Sequence, residues 1–108
     1  MTPIDPNKIA ADFAAAVNMD SAELEAWLET PESKRVGFKR GGGGESVGHA
    51  SGRRIVELLR NGPSDESDYA HMRKVVGFVR RHRAQEPANM VTSRWRYSLM
   101  NWGHDPLK

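Results

Sequence analysis

At 108 residues with no cysteine, the chain has the size of one domain, able to bury roughly 65% of the surface its unfolded form exposes; thiol chemistry, a disulfide frame and a Cys-bearing zinc site are excluded. Sixteen Lys/Arg against fourteen Asp/Glu give a net charge of only +2, but the charge is unevenly spread. Residues 1–32 hold one Lys against seven acids, a net of −6, while the other 76 residues net +8, the asymmetry of an acidic head on a basic body.

The opening MTPIDPNK lacks a basic segment followed by an apolar one, and the most apolar run, IAADFAAAV, is short and carries Asp12. The expectation is a soluble, cytoplasmic protein with no membrane partner. Asp5-Pro6 supplies an N-cap followed by proline at the first helical position, and Ile9, Phe13, Ala16 and Val17 share one stripe, which predicts a first helix to about Asn18. Asp20, with Glu23 three residues on, forms a capping-box pair for a second helix. Its buried edge is Leu24, Trp27 and Leu28, and Thr30-Pro31 is expected to stop it.

The stretch ESKRVGFKRGGGGESVGHASG has no helical or strand period. Four consecutive glycines have little conformational preference, so residues 39–46 are read as a flexible basic loop. A third helix starts between Ser46 and Ser51, carries Ile55, Val56, Leu58 and Leu59, and ends at Asn61-Gly62-Pro63. Ser64 opens a fourth and longest helix, with Asp65, Glu66 and Asp68 favourably placed at its N-terminal dipole. Its core stripe is Tyr69, Met72, Val75, Val76 and Val79, its far end carries Arg80, Arg81 and Arg83, and Pro87 follows. A fifth helix is capped by Thr92 or Ser93 and ended by Gly103. At about 100° per residue, Trp95, Leu99 and Trp102 share a face that docks on the core. Arg96, Tyr97 and Met100 project elsewhere, so this helix is either buried on two sides or offers a contact edge. The pattern predicts an all-α, single-domain orthogonal bundle of about five helices spanning residues 1–108.

Catalytic and cofactor motifs are absent, and neither an enzyme nor a cofactor is expected. GHASG at residues 48–52 has the wrong spacing for a nucleophile elbow and no strand before it. The glycine run is followed by Glu45-Ser46 where a phosphate loop needs Lys-Ser/Thr. His71 and His82 lie on one helix face but roughly 16 Å apart along the axis, too far for two ligands that must each lie about 2 Å from one zinc; each is read as a half-buried, hydrogen-bonded flank residue. An enzyme would need His49 or His104 gathered in a cleft with a carboxylate such as Glu45 or Asp105.

The basic body is the remaining signal. Among thirteen Lys and Arg of its clusters, Arg outnumbers Lys ten to three, and guanidinium forks grip phosphates bidentately where ammonium groups do not. A solvated face is the bland alternative, and Arg53 with Glu57 is spaced for an ordinary i,i+4 pair.

SGRRIVELL, HMRKVVGFVRRHRAQ and SRWRYSLMNWGHDPLK together resemble the family known as domain of unknown function 3140, small and chiefly bacterial proteins sometimes labelled DNA-binding. The resemblance runs from about Phe13 to Lys108 and is most specific around Arg94, Trp95, Leu99, Met100 and Gly103 to Lys108. It implies no mechanism, and its DNA-binding label points the same way as the charge asymmetry. The reading is therefore a nucleic-acid-binding protein, with DNA ahead of RNA, that contacts duplex phosphates through Lys39, Arg40, Arg53, Arg54, Arg80, Arg81, Arg83, Arg94 and Arg96. The alternative is a protein-interaction or homo-oligomerisation module in which the acidic head of one chain meets the basic body of another.

Overall fold

Each helix begins where a short polar side chain can accept from its first free backbone amides. The computed structural model describes residues 5–37, 39 and 44–108, and among these it contains six α-helices and no strand: α1 (Pro6–Ala16), α2 (Ser21–Leu28), α3 (Pro31–Arg35), α4 (Val47–Asn61), α5 (Glu66–Arg83) and α6 (Arg94–Asn101). The fold is all-α, with one helix more than expected. Asp5, Asp20, Thr30, Ser46, Asp65 and Ser93 are the N-caps, and Asp20 and Glu23 complete the reciprocal capping box.

Thr30-Pro31 does stop α2, which ends at Leu28, but it also starts the extra helix. Thr30 Oγ1 accepts from the Ser33 amide at 3.2 Å, and Pro31 occupies the first helical position, where its missing N–H is harmless. The same dipeptide logic that marks the start of α1 operates here, in a helix too short to show a period. Two boundaries also move: α1 ends at Ala16 rather than near Asn18, and α5 is capped by Asp65 rather than Ser64. Arg40 and Gly41 to Gly43, half of the expected flexible loop, lie outside the described residues.

The apolar stripes converge into one core. α1 lies along α5 and α2 along α4, while α6 touches α2, α3, α4 and α5. Leu24, Ile55, Val75 and Leu99 are fully buried, as Trp95 and Trp102 very nearly are. The Cα radius of gyration, 13.6 Å, is that of one folded domain of about this length. No described helix is long and apolar enough to cross a membrane. Close approach of α4 to its neighbours depends on Gly52: a Cβ there would stand 2.5 Å from the Asn101 carbonyl oxygen and 2.7 Å from Leu28 Cδ2.

The edge of α6 opposite the tryptophans is occupied too. Tyr97 packs on Trp27, with ring centroids 5.4 Å apart, and Met100 is partly buried against the core. The helix is buried on two sides. Fully buried Asn101 bonds on two flanks: its Oδ1 accepts from Trp27 Nε1 at 2.8 Å and from Ser33 Oγ, and its Nδ2 donates to the Ser33 carbonyl at 3.0 Å. One amide thus joins α2, α3 and α6, which is why so short a helix as α3 has a fixed place. Gly103, at φ +81°, then turns the chain so that His104 and Asp105 are buried beside the α1–α2 connection.

Candidate nucleic-acid interface

The nine basic residues singled out in the sequence sort into three environments. Arg53, Arg54 and Arg96 are engaged by carboxylates of the basic body itself. Arg53 donates from Nε and Nη2 to Glu45, at 2.7 and 2.5 Å; its partner is thus Glu45 across the N-cap and not Glu57. Arg54 donates to Asp68 and Ser67, both at 3.1 Å, and draws the carboxylate at the start of α5 onto α4. Arg96 turns inward: its fork meets both oxygens of Asp105 at 3.2 Å and its Nη1 donates to the Val91 carbonyl at 2.8 Å. With side chains only 20% and 12% exposed, Arg96 and Asp105 form a largely buried bidentate pair. Burial works against the Asp105 charge, but the hydrogen bonds from Arg96 and the Leu107 amide hold its carboxyl below the usual carboxylate range.

Lys39 stands apart from the rest. It borders a shallow hollow with Lys34, Glu45, Ser46 and His49 at the start of α4, while its neighbour Arg40 is outside the described residues.

The last turn of α5 and the first of α6 carry the other four. Trp95 Nε1 donates to the His82 carbonyl at 2.6 Å, which holds the start of α6, and with it Arg94, against the end of α5. Arg80 reaches toward Asp12 of α1 at 3.7 Å with 67% of its side chain exposed. Arg83 Nη1 lies 3.3 Å from His104 Nε2. Arg81 folds back over Gly77, where a Cβ would come within 3.0 Å of its Nη1. Arg81, Arg83 and Arg94 are exposed and have no carboxylate within 4.0 Å among the described residues. Helical spacing directs Arg80 and Arg83 to one side and Arg81 to the other, so the four cations surround the end of the helix rather than form a row.

The acidic head is tied to the body within the chain. Arg60 meets Glu25, Arg80 approaches Asp12, and Lys108 donates to Glu23 at 2.5 Å. Asp12, Glu23 and Glu25 of the head thus have cations of the body as partners within the chain.

Three of the four histidines have ring hydrogen-bond partners, and His82, expected to be hydrogen-bonded, has none at Nε2 among the described residues. His49 faces Glu45 through Nδ1 and the Leu28 carbonyl through Nε2. His104 Nδ1 lies 2.7 Å from the Ala16 carbonyl, its natural acceptor, which leaves Nε2 to accept from Arg83. His71 Nε2 pairs with Ser51 Oγ at 2.9 Å. His49 and Glu45 line the same shallow hollow, with Glu45 engaged by Arg53, and among the described residues no group of three or more His, Asp or Glu could hold a metal ion.

Sequence reading missed how α5 and the end of α6 interleave their rings. His71, Trp102, Phe78, His82 and Trp95 form a run of near-parallel neighbours, with interplanar angles of 14° to 17° at each step. The spacing of residues 71, 78 and 82 on one helix was the available signal, but nothing local announced the tryptophans of α6. Burial pushes all three of His71, His82 and His104 below the ordinary histidine value, His71 to about 4, because a low-dielectric setting favours the neutral ring.

A family model described as a protein of unknown function (DUF3140) matches residues 12–100. It stops short of Gly103 to Lys108, part of the tail that carries the resemblance in the sequence. No curated protein and no solved structure matches the chain.

Proposed function

The chain belongs to the family of unknown function DUF3140, and because membership assigns no activity, we propose from its own surface that it binds nucleic acid, duplex DNA foremost, through phosphates. What supports this reading is that Arg80, Arg81, Arg83 and Arg94 all belong to the end of α5 or the start of α6, and that three of them have no carboxylate partner within 4.0 Å among the described residues. Guanidinium forks on a rigid helix end suit phosphate oxygens. Neither a groove-reading helix nor base-edge contact is invoked, so the binding is expected to be largely indifferent to sequence.

Fluorescence anisotropy with a labelled duplex tests it. Each neutralised phosphate contributes a slope of about −0.9 in log K against log salt, so four contacts weaken binding roughly 100-fold between about 50 and 200 mM salt. Arg81→Glu with Arg83→Glu should abolish most of that binding, and excess single-stranded RNA should compete less well than duplex DNA. If about 100 μM protein leaves labelled DNA and RNA unshifted at low salt, the reading is wrong.

A further inference from the structure

Lys74, Phe78, Arg81 and His82 of α5 fall within one 100° stripe of the helix. Together with Trp102 and Gly48 they line a groove of about 440 Å³. That volume lies in the range of small-ligand sites, about 300 to 1,000 Å³. Two glycines make the groove possible. A Cβ on Gly48 would stand 2.9 Å from Trp102 Nε1, and the bare backbone of Gly77 lets the Arg81 guanidinium lie down at the groove margin.

The chemistry of the walls is specific. Phe78 lies between Trp102, at 4.3 Å, and His82, at 4.9 Å. With both faces covered, the ring presents its C–H edge to the groove. Ring edges carry the positive end of the aromatic quadrupole and pack favourably against the face of another ring. Lys74 and Arg81 are exposed and have no carboxylate within 4.0 Å among the described residues. His82 Nε2 is buried without a hydrogen-bond partner among them, a condition native proteins seldom leave unrelieved.

We propose that this groove binds a small planar aromatic anion, a carboxylate or sulfonate. Its ring packs against the edges of Phe78 and Trp102, and its anionic group is held by Arg81 and Lys74. An unstacked nucleic-acid base is the poorer occupant, because base recognition of that kind uses an open aromatic face and both faces of Phe78 are taken. The site shares Arg81 with the phosphate-binding reading but differs from it in ligand, and the naphthoate and duplex titrations test the two independently.

The test is a titration of the full chain, labelled with ¹⁵N, with 1-naphthoate, following the three indole N–H resonances. Saturable shifts are expected at the Trp102 indole and the Gly48 amide, with a Kd of about 1 mM or tighter, the range open to a ligand of this size. The neutral isostere 1-naphthamide should bind at least about tenfold more weakly, and Arg81→Glu and Lys74→Glu should each weaken naphthoate binding at least about tenfold. Arg73→Glu, an exposed charge reversal on the same helix outside the groove, controls for net charge and should leave the Kd unchanged. No saturable shift up to about 5 mM, equal affinity for naphthamide, indifference to the two groove reversals, or shifts centred on Trp27 would each overturn the proposal.

Discussion

Asn18 and Asp105, 87 positions apart, exchange a reciprocal pair of hydrogen bonds: Asn18 Nδ2 donates to the Asp105 carbonyl at 2.9 Å, and the Asp105 amide donates to Asn18 Oδ1 at 2.7 Å. The Met19 amide adds a bond to the Gly103 carbonyl at 3.2 Å. The C-terminal segment is thereby fastened to the α1–α2 connection. Asn18→Ala strands both part-buried backbone groups of Asp105 and is expected to lower unfolding free energy by about 1 to 3 kcal/mol, measured by urea denaturation.

Asn101 tests whether α3 is held by a single amide. Asn101→Leu keeps the volume but leaves Trp27 Nε1, Ser33 Oγ and the Ser33 carbonyl without their partner. A loss of about 2 to 4 kcal/mol is expected. Hydrogen exchange should rise across Pro31–Arg35 more than across Glu66–Arg83; uniform acceleration would count against a local role.

Gly52 tests the packing of α4. Alanine is the better helix former, yet its methyl group would meet the Asn101 carbonyl oxygen and Leu28 Cδ2 at separations no relaxed structure tolerates. Gly52→Ala should therefore destabilise by about 1 to 3 kcal/mol, against the direction helix propensity gives.

Two arginines that look alike in the sequence should behave differently. The Arg53–Glu45 pair is exposed on the Arg53 side, and ion pairs of that kind contribute little, so Arg53→Ala should leave the denaturation midpoint nearly unmoved. Arg96→Ala leaves the Asp105 carboxylate largely buried without its cation and should cost about 3 kcal/mol. Equal effects would show that the sequestered pair has no special role.

Acid should weaken the fold in two stages. His71 is held near 4 by burial, with Arg54 and Lys74 adding to the effect, and His82 and His104 are lowered by burial as well. A histidine whose folded pKa lies below its unfolded one favours the folded state above about 6.5, and that contribution fades as pH falls toward the folded value. Loss of stability between pH 6.5 and about 4.5 should thus come from the histidines, and His71→Gln should flatten it. Below that range the lowered carboxyls of Asp12, Glu45, Asp68 and Asp105 take up protons and release their cations. Stability followed by thermal melts across pH 4 to 7 measures the slope; a flat profile above pH 4.5 would refute the histidine assignment.

Local order in the sequence was enough to place the starts of most of the helices and the apolar face of each long one. Asp20 with Glu23, Asp5-Pro6 and the Val75, Val76 and Val79 stripe act within three or four residues, over distances the backbone itself fixes. Thr30-Pro31 carried equally local information for α3, but a five-residue helix is too short to display a period, so its starting signal reads as an ending. What only the tertiary structure decided is the partner of each polar group. Arg53 and Arg54 are adjacent in the chain yet reach Glu45 and Asp68, and Arg94 and Arg96 sit two apart with one exposed and the other sequestered. The rings of α5 and α6 likewise meet only because the helices cross there. Such pairings depend on how separated elements pack, a sum of many weak contacts with no counterpart in the local order of residues.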